Sequence, residues 1–508
     1  MTGAALKTPA NDAAKNEPPM DYNRGLNYDE NLLWEKTQTD HPGVDLAAPK
    51  NTPLRTGQGA RDRIGLPQVS EPDVVRHFVR LSTKNFSIDS GFFPLGSCTM
   101  KHNPRLNERV ARYPGFALAH PMQPASTVQG TLKVMFELQN WLAELTGLPG
   151  VCLTPAAGAH GELAGLMTIA RAHALKGRTD KAVILVPDSA HGTNPATAAM
   201  CGFKIRVIPT RDTGRVTVEA FKEALGDGAD VAGMMVTNPN TCGLFESDIQ
   251  TISKLLHDAG GYFYCDGANF NALVGKIRPA DFGVDVMHIN LHKTFSTPHG
   301  GGGPGSGPIC VSEELRPYVP NPVVLHENGS YRLEENGERS SSCGRIKGFQ
   351  GQFGMHIRAL TYMMSHGADG LRQVSEDAVL NANYVLSQLE QDYNVPLAGP
   401  CMHECLLTDK VQKEAGVTTL DIAKALIEHG FHPMTVYFPL VVQGAMLIEP
   451  TETESKDTLD RFIRVMKDIA ADVRNGDVDK FHTYPQSAPA RRLDEVRAAR
   501  EPKLRWKN

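Results

Sequence analysis

Residues 233–266 read GMMVTNPNTCGLFESDIQTISKLLHDAGGYFYCD, two short apolar runs with a helical pattern between them. The apolar residues at positions 249, 252, 255, 256 and 259 follow the spacing of one helix face. Ser247 can cap the start of this helix and Gly260 its end. The segment therefore predicts a strand, a helix and a second strand.

The same alternation extends over residues 150–315. Short apolar runs occur at Ala182–Val186, Ile205–Ile208, Gly233–Thr237, Tyr262–Cys265, Val286–Ile289 and Ile309–Val311. Helical patterns lie between several of these runs. We therefore predict an α/β domain with a doubly wound, mainly parallel sheet. Ligands of such sheets bind beyond the carboxyl ends of the strands.

The rest of the chain differs in composition from this central region. We predict an extended N-terminal arm, a large α/β domain, a smaller C-terminal α+β domain and a charged tail, at residues 1–75, 76–335, 336–475 and 476–508. Residues 128–147 read as an amphipathic helix that ends at Gly147. In the C-terminal part, residues 378–389 follow helical spacing, and Pro439–Glu449 reads as a strand.

Composition excludes several classes of protein. The 508 residues are 41% apolar and 21% charged, with a mean hydropathy of −0.29, which is typical of a globular chain. No run approaches the length of a membrane-spanning helix, and a net charge of −5 gives no basic surface for nucleic acid. Nine sparse cysteines and no apolar leader at the start favour a reducing, cytoplasmic location.

Two segments offer groups that suit a phosphorylated aromatic ligand. LTPAAGAHGE at residues 153–162 places Ala157, Gly158 and Ala159 before a helical run. Small residues there expose backbone N–H groups to a phosphate, although a tight strand–helix turn also needs small residues. His191, in VPDSAHGTN, falls just beyond a strand. It is either an ordinary loop residue or a flat ring that stacks on a cofactor.

Two further segments offer an acid and an amine. Asp266 lies at the carboxyl end of an apolar strand, where an acid either caps a turn or serves a functional partner. Lys293 follows another strand, in HINLHKTFSTPHGGGGPG at residues 288–305. A lysine in a buried site is costly unless it is paired or chemically used, and burial favours its nucleophilic amine form. The histidines of this segment form no recognised ligand set, so we expect no metal.

Together these residues fit pyridoxal 5'-phosphate, which needs a lysine aldimine, an acid at the pyridine nitrogen, a stacking ring and a phosphate site. Lys293, Asp266 and His191 supply the first three, and residues 157–159 supply the fourth. Asn240 is a candidate contact near the cofactor's phenolic oxygen, and Thr297 is a further candidate cofactor contact.

Three motifs then indicate a family. PLGSCTMK at residues 94–101, LHKTFSTPHGGGGP at 291–304 and MLIEPTETE at 446–454 resemble the glycine cleavage system P proteins, in particular subunit 2 of the two-subunit form. The resemblance spans roughly residues 75–475. It implies a fold type I pyridoxal-phosphate enzyme, with the cofactor held as an aldimine on Lys293.

The resemblance also implies an activity and partners. The implied enzyme is a glycine dehydrogenase (decarboxylating), an oxidoreductase that releases CO2 from glycine and transfers the aminomethyl group to the lipoyl arm of H protein. The implied partners are P protein subunit 1, in a dimer of heterodimers, and lipoylated H protein. Ser97, Cys98 and Thr99 are candidates for contact with the glycine carboxylate or the entering lipoyl arm; the alternative is an ordinary turn.

Two other functions remain open from the sequence. One is a different fold type I enzyme, such as an aminotransferase, an amino-acid decarboxylase or a cysteine desulfurase. The other is a non-catalytic scaffold subunit that supports an active partner. The presence of Lys293, Asp266 and His191 argues against a scaffold, because a silent subunit does not need them.

Overall fold

The computed structural model describes residues 30–36, 47, 65–210, 213–299, 305–334, 337–350 and 352–505. The chain divides into two compact units, Met1–Ser87 and Ile88–Asn508. The first unit contains helix α1 (Glu71–Thr83), which begins after Ser70, whose hydroxyl oxygen accepts a hydrogen bond from the Asp73 N–H. The boundary predicted after residue 75 falls inside this helix, and most of the predicted arm lies outside the described residues.

The second unit is built around a seven-stranded sheet. Its strands are β1 (Gly150–Cys152), β2 (Val183–Pro187), β3 (Lys204–Ile208), β4 (Val231–Thr237), β5 (Tyr262–Gly267), β6 (Val286–Ile289) and β7 (Ile309–Val311). They lie in the order β1-β7-β6-β5-β4-β2-β3. Strand β7 runs antiparallel to its neighbours β1 and β6, and the other four strand pairs of the sheet are parallel. The predicted mainly parallel sheet is therefore confirmed.

The six predicted apolar runs coincide with β2 to β7 within two residues at either end. Strands β2, β4, β5 and β6 are buried along their whole length. Strands covered on both faces read as continuous apolar runs, which explains why these were visible in the sequence. Strand β1, only three residues long, was not predicted.

Helices cover this sheet and connect its strands. They are α2 (Arg105–Ala111), α3 (Pro114–Ala117), α4 (Gln129–Thr146), α5 (Gly158–Leu175), α6 (Thr193–Met200), α7 (Val218–Leu225), α8 (Ile249–Asp258) and α9 (Leu291–Thr294). Helix α4 ends at Gly147, with φ of 70°, as predicted. The predicted cap at Ser247 is wrong: the residue before α8 is Asp248, and no side chain caps the helix there.

Glycines let α5 approach the sheet closely. A Cβ on Gly161 would lie 2.7 Å from the Cβ of His288, and one on Gly165 would lie 2.4 Å from a ring carbon of Tyr264. Since neither position has room for a methyl group, glycine at both positions allows this helix–sheet distance. The contact brings the first turn of α5 to the carboxyl ends of β5 and β6.

The C-terminal part contains a separate small sheet. Strands β8 (Val324–Glu327) and β9 (Ser330–Leu333) form a hairpin, and β10 (Cys405–Thr408), β11 (Thr435–Val436) and β12 (Ala445–Ile448) form an antiparallel sheet in the order β10-β12-β11. The predicted strand Pro439–Glu449 is therefore too long, because residues 439–444 form a loop.

Six helices complete this part of the chain: α10 (Phe353–Leu389), α11 (Lys410–Glu414), α12 (Thr419–Glu428), α13 (Lys456–Arg474), α14 (Asp479–Thr483) and α15 (Glu495–Arg500). Helix α10 joins two helices across Gly367, whose φ is 63°. The predicted helical spacing over residues 378–389 corresponds to its buried face. The charged tail contains the short helices α14 and α15. The division into large and small domains stays a prediction.

Candidate active site

Residues from all four predicted cofactor motifs line one cavity. The cavity has a volume of about 310 Å³ and lies beyond the carboxyl ends of β4, β5 and β6. Gly158 and Ala159 line it from α5, His191 from the loop before α6, Asp266 from β5 and Lys293 from α9. Positions more than 130 residues apart in the sequence thus meet at the edge of the sheet where ligands of this architecture bind.

Asp266 is fixed in the wall of the cavity by several donors. Its Oδ2 accepts a hydrogen bond of 3.0 Å from Nδ2 of Asn194, and its Oδ1 accepts one of 2.9 Å from the Ala268 N–H. The Nε2 of His288 lies 3.3 Å from Oδ1. Beyond it, the Nδ1 of His288 lies 2.6 Å from the hydroxyl of Tyr264. The carboxylate is therefore held in one orientation from behind.

These partners also control the charge of Asp266. Burial acts to raise its pKa, but His288, the Asn194 and Ala268 hydrogen bonds and the nearby Lys293 together hold the pKa below its ordinary value. Glu162, also in the cavity wall, has a pKa raised by burial and by the charge of Asp266. The cavity therefore contains one acid kept ionised and one pushed towards its neutral form.

Lys293 lines the cavity beyond the end of β6, the strand next to the one that carries Asp266. It lies in the short helix α9, four positions after the last residue of β6, and its side chain is half-buried. Its Nζ donates a hydrogen bond of 2.8 Å to the carbonyl oxygen of Ser97. The predicted Ser97–Thr99 loop thus contacts the predicted lysine directly, and Ser97 and Cys98 line the cavity with it.

The Ser97–Thr99 loop has an unusual backbone. Ser97 and Thr99 have φ angles of 58° and 47°, in the left-handed region that costs an L-residue about 1–2 kcal/mol. Glu404 accepts hydrogen bonds from the backbone N–H of Ser97 (2.6 Å) and from its hydroxyl. Glu449 accepts bonds from the N–H (2.8 Å) and hydroxyl (2.5 Å) of Thr99. These hydrogen bonds offset the backbone strain.

The predicted phosphate site is the first turn of α5. No side chain caps this 18-residue helix, so its backbone N–H groups and its dipole favour an anion. A Cβ on Gly158 would lie 2.7 Å from the side-chain amide of Asn290. Gly158 and Ala159 line the cavity; Ala157 precedes the helix, is exposed and is not among the lining residues.

His191 has an exposed ring at the side of the cavity. Its Nδ1 lies 2.7 Å from the hydroxyl oxygen of Thr193, which donates to Glu162 at 2.7 Å. Its ring meets that of Phe438 edge-on, with centroids 5.9 Å apart. The ring is therefore held at the cavity but not enclosed by protein. A residue that stacks on a cofactor needs both a fixed position and an open face.

Three further residues predicted to contact a ligand are not among those that line this cavity. Asn240 is the clearest correction: its amide group donates to Gly214 and Glu246, and its oxygen accepts from two N–H groups of its own loop, so it holds the loop instead. Thr297 is fully buried and its hydroxyl forms no hydrogen bond within the described part of the chain, so its contact with a cofactor stays a prediction. Thr99 donates its hydroxyl hydrogen bond to Glu449. Most of the glycine run that follows Lys293 lies outside the described residues.

The cavity fits the predicted cofactor. Besides the amine, the ionised acid and the helix N-terminus, it is lined by Thr237, Asn269 and Asn290. Each of these three side chains has a buried oxygen that forms no hydrogen bond within the described part of the chain. Buried oxygens without partners are costly, so they point to a polar ligand in the cavity. The fold and the site together define a fold type I pyridoxal-phosphate enzyme.

Comparisons with known proteins agree with this class and narrow it. The family model for class-V aminotransferases matches residues 161–315, and the model for the glycine dehydrogenase C-terminal domain matches residues 374–489. A crystal structure of the glycine decarboxylase P-protein of the glycine cleavage system, in inhibitor-bound form, has the same fold. It superposes with a TM-score of 0.67 at 21% identity, over 85% of this chain and 92% of that one.

Curated relatives establish the family. A "probable glycine dehydrogenase (decarboxylating) subunit 2" of Caulobacter vibrioides is 56% identical over 98% of this chain and 96% of its own length. One of Listeria monocytogenes is 52% identical over 87% of this chain and 89% of its own length. The chain belongs to the glycine dehydrogenase (decarboxylating) subunit 2 family and is an enzyme.

Several site residues were missed by the sequence analysis. Glu404 and Glu449 each lie next to the end of a strand of the small sheet, and Glu162 is the fifth residue of α5. An acid directly beside an apolar run is a usable signal, but the pairing of distant strands is not readable from one sequence.

None of the described helices is both long and apolar enough to span a bilayer.

Proposed function

We propose that this chain binds pyridoxal 5'-phosphate on Lys293, decarboxylates glycine and transfers the aminomethyl group to the lipoyl arm of an H protein. The observation that carries the proposal is that Lys293 and Asp266 face one cavity from the ends of neighbouring strands. The bound cofactor supplies an aldehyde that reacts with amines and a ring that accepts the electron pair of a broken bond.

The residues of this chain would position and charge that cofactor. Asp266, kept ionised, would accept a hydrogen bond from the protonated ring nitrogen. Asn194 and the Ala268 N–H fix the orientation of this carboxylate, and His288 supports it from behind. The first turn of α5 would hold the phosphate, and the ring of His191 would lie against one face of the cofactor.

The charges of the cavity favour loss of the substrate carboxylate over its retention. The described residues that line the cavity include no arginine. A strong ion pair would stabilise the carboxylate in the ground state more than in the transition state, where its charge is leaving. An aminotransferase keeps its substrate carboxylate and gains from such a pair. This observation favours decarboxylation over the alternative of amino-group transfer.

The mouth of the cavity offers an apolar surface beside polar groups. Phe438 lines the cavity, and Tyr437, Leu440 and Val441 next to it are exposed, Leu440 by 84%. This surface suits the hydrocarbon part of a lipoyl arm. The subunit 2 name of the curated relatives supports a subunit 1 as partner, and we propose a dimer of heterodimers with it.

Reconstitution tests this proposal. The chain would be co-purified with its candidate subunit 1 and supplied with pyridoxal phosphate and glycine labelled at the carboxyl carbon. We expect release of labelled CO2 that depends on lipoylated H protein, and a lipoyl arm carrying the aminomethyl group. Transfer of the amino group to an oxo acid, without CO2 release, would contradict the proposal.

A further inference from the structure

Two buried acids lie behind the Ser97–Thr99 loop. Glu404 directly precedes β10, and Glu449 directly follows β12. Because Cys405 pairs with Ile448 in the antiparallel register, the two acids lie side by side at one end of the strand pair. Both are fully buried, and an oxygen of each lies within 4.8 Å of the other. The proposed chemistry assigns neither of them a role.

Each acid holds one left-handed residue of the loop. Glu404 binds the N–H and hydroxyl of Ser97, and Glu449 binds those of Thr99. The carbonyl oxygen of Ser97 is the acceptor for the amine of Lys293. The two carboxylates beside the small sheet therefore hold the loop, and the loop in turn holds the amine of Lys293.

The charges around this pair do not balance if both acids are ionised. The titratable groups that face it are Lys293, Lys101, Glu452, His403 and four thiols, those of Cys98, Cys242, Cys401 and Cys405. Burial raises the pKa of the last three thiols, so they carry no charge. The Nζ of Lys101 is already paired with Glu452 at 2.7 Å. Burial raises the pKa of the Cys98 thiol and keeps it neutral.

His403 does not supply the missing charge. Its ring is completely buried, and neither ring nitrogen forms a hydrogen bond with any described residue. Burial lowers its pKa to about 3, so it is neutral. Lys293 alone remains to balance two adjacent carboxylates, and one excess negative charge in a buried site is unfavourable.

We propose that Glu404 and Glu449 share a single proton and are positioning residues that clamp the Ser97–Thr99 loop over Lys293. The Ser97 carbonyl oxygen, which the clamped loop presents, accepts the hydrogen bond of the Lys293 Nζ and so fixes its position at the cavity. The consequence for Lys293 as a nucleophile rests on the proposed function, whereas the clamp itself does not.

Hydrogen exchange on the cofactor-free chain tests the clamp. In Glu404→Ala the N–H of Ser97 loses its acceptor, and we expect it to exchange at least about tenfold faster in the peptide covering residues 95–100. Glu404→Gln keeps an oxygen acceptor and should restore most of the protection. Glu454→Gln is the matched control, since that half-buried glutamate does not contact the loop. Unchanged exchange in Glu404→Ala would overturn the clamp.

Infrared spectroscopy tests the shared proton, using chain labelled with ¹³C-glutamate at mildly alkaline pH. Beside the bands of other protonated glutamates such as Glu162, a shared proton gives a carboxylic acid band that disappears in both Glu404→Gln and Glu449→Gln, because each replacement leaves the remaining acid ionised beside Lys293. Loss of the band in only one of the two variants would show independent protonation and overturn the shared proton. One equivalent of a tightly bound divalent metal in the wild-type chain would overturn it as well.

The two proposals fail separately. Exchange and infrared readouts need no cofactor, so they stand even if the chain proves not to bind pyridoxal phosphate. In the loaded enzyme, Glu404→Ala should retain the cofactor but change the pH dependence of its visible absorbance, and Glu404→Gln should restore the wild-type profile more closely. An unchanged profile in Glu404→Ala would contradict the action of the loop on Lys293.

Discussion

Replacing Gly165 by alanine adds one methyl group where α5 meets the sheet. The new Cβ would lie 2.4 Å from a ring carbon of Tyr264 and 2.9 Å from a methyl carbon of Val286. Carbon atoms pack at about 3.5–4.0 Å, so helix or sheet must move by about 1 Å. Both neighbours are buried in central strands, and the Tyr264 hydroxyl is bonded to His288, so neither can move easily.

The expected magnitude follows from two opposing effects. Overpacking of a buried site costs about 1–3 kcal/mol, and this close contact belongs at the upper end. Alanine gains about 1 kcal/mol over glycine inside a helix. We therefore expect Gly165→Ala to lower the free energy of unfolding by about 2 kcal/mol, and to weaken cofactor retention because Tyr264 and His288 support Asp266.

Urea unfolding followed by circular dichroism measures this difference. Gly130→Ala, in α4, is the matched control because a Cβ there meets no atom within 4 Å. It should be as stable as the wild type or more stable by up to about 1 kcal/mol. A Gly165→Ala variant that is as stable as Gly130→Ala would refute the role of glycine in bringing α5 to the sheet.

Three further predictions concern individual side chains. Asp266→Asn should retain the cofactor but slow CO2 release from glycine by at least about 100-fold, because the ionised partner of the ring nitrogen is lost; an unchanged rate would remove Asp266 from this role. His191→Ala should weaken cofactor retention measured by equilibrium dialysis, and undiminished retention would favour an ordinary loop residue. Burial raises the pKa of Glu246 to about 7, whereas an unfolded glutamate titrates near about 4.3. The wild type should therefore lose stability as pH rises between these values, and Glu246→Gln should show a flatter urea-midpoint profile; identical profiles would contradict the raised pKa.

The central sheet was predictable because each of its buried strands is visible in the sequence as a short apolar run. Strands such as β4 and β5 are buried on both faces, so their sequences are continuous apolar runs between turn residues. Lys293 and Asp266 follow such strands, and the parallel sheet brings the ends of neighbouring strands together. The fold class alone was therefore enough to predict that Lys293 and Asp266 lie close together at one edge of the sheet. The detailed packing was not needed.

The parts that were missed depend on distant pairing. Glu404 and Glu449 become neighbours only because β10 pairs with β12, and one sequence does not reveal that register. The error at Asn240 has a similar origin: an amide in a loop can bind a ligand or its own loop, and here Glu246 and nearby backbone groups take all its hydrogen bonds. Ser247 is a residue type that caps helices, but α8 begins one residue later and no side chain caps it, which residue type alone does not reveal.

Reduction of the loaded chain with borohydride, followed by digestion and mass spectrometry, examines the amine directly. Reduction makes the bond between a lysine and pyridoxal phosphate permanent and marks the residue that formed it. We predict the mass of the reduced cofactor on the peptide that contains Lys293, and none in Lys293→Ala. A label on another lysine, such as the buried Lys101, or no label at all in a chain loaded with cofactor, would contradict the assignment of this cavity.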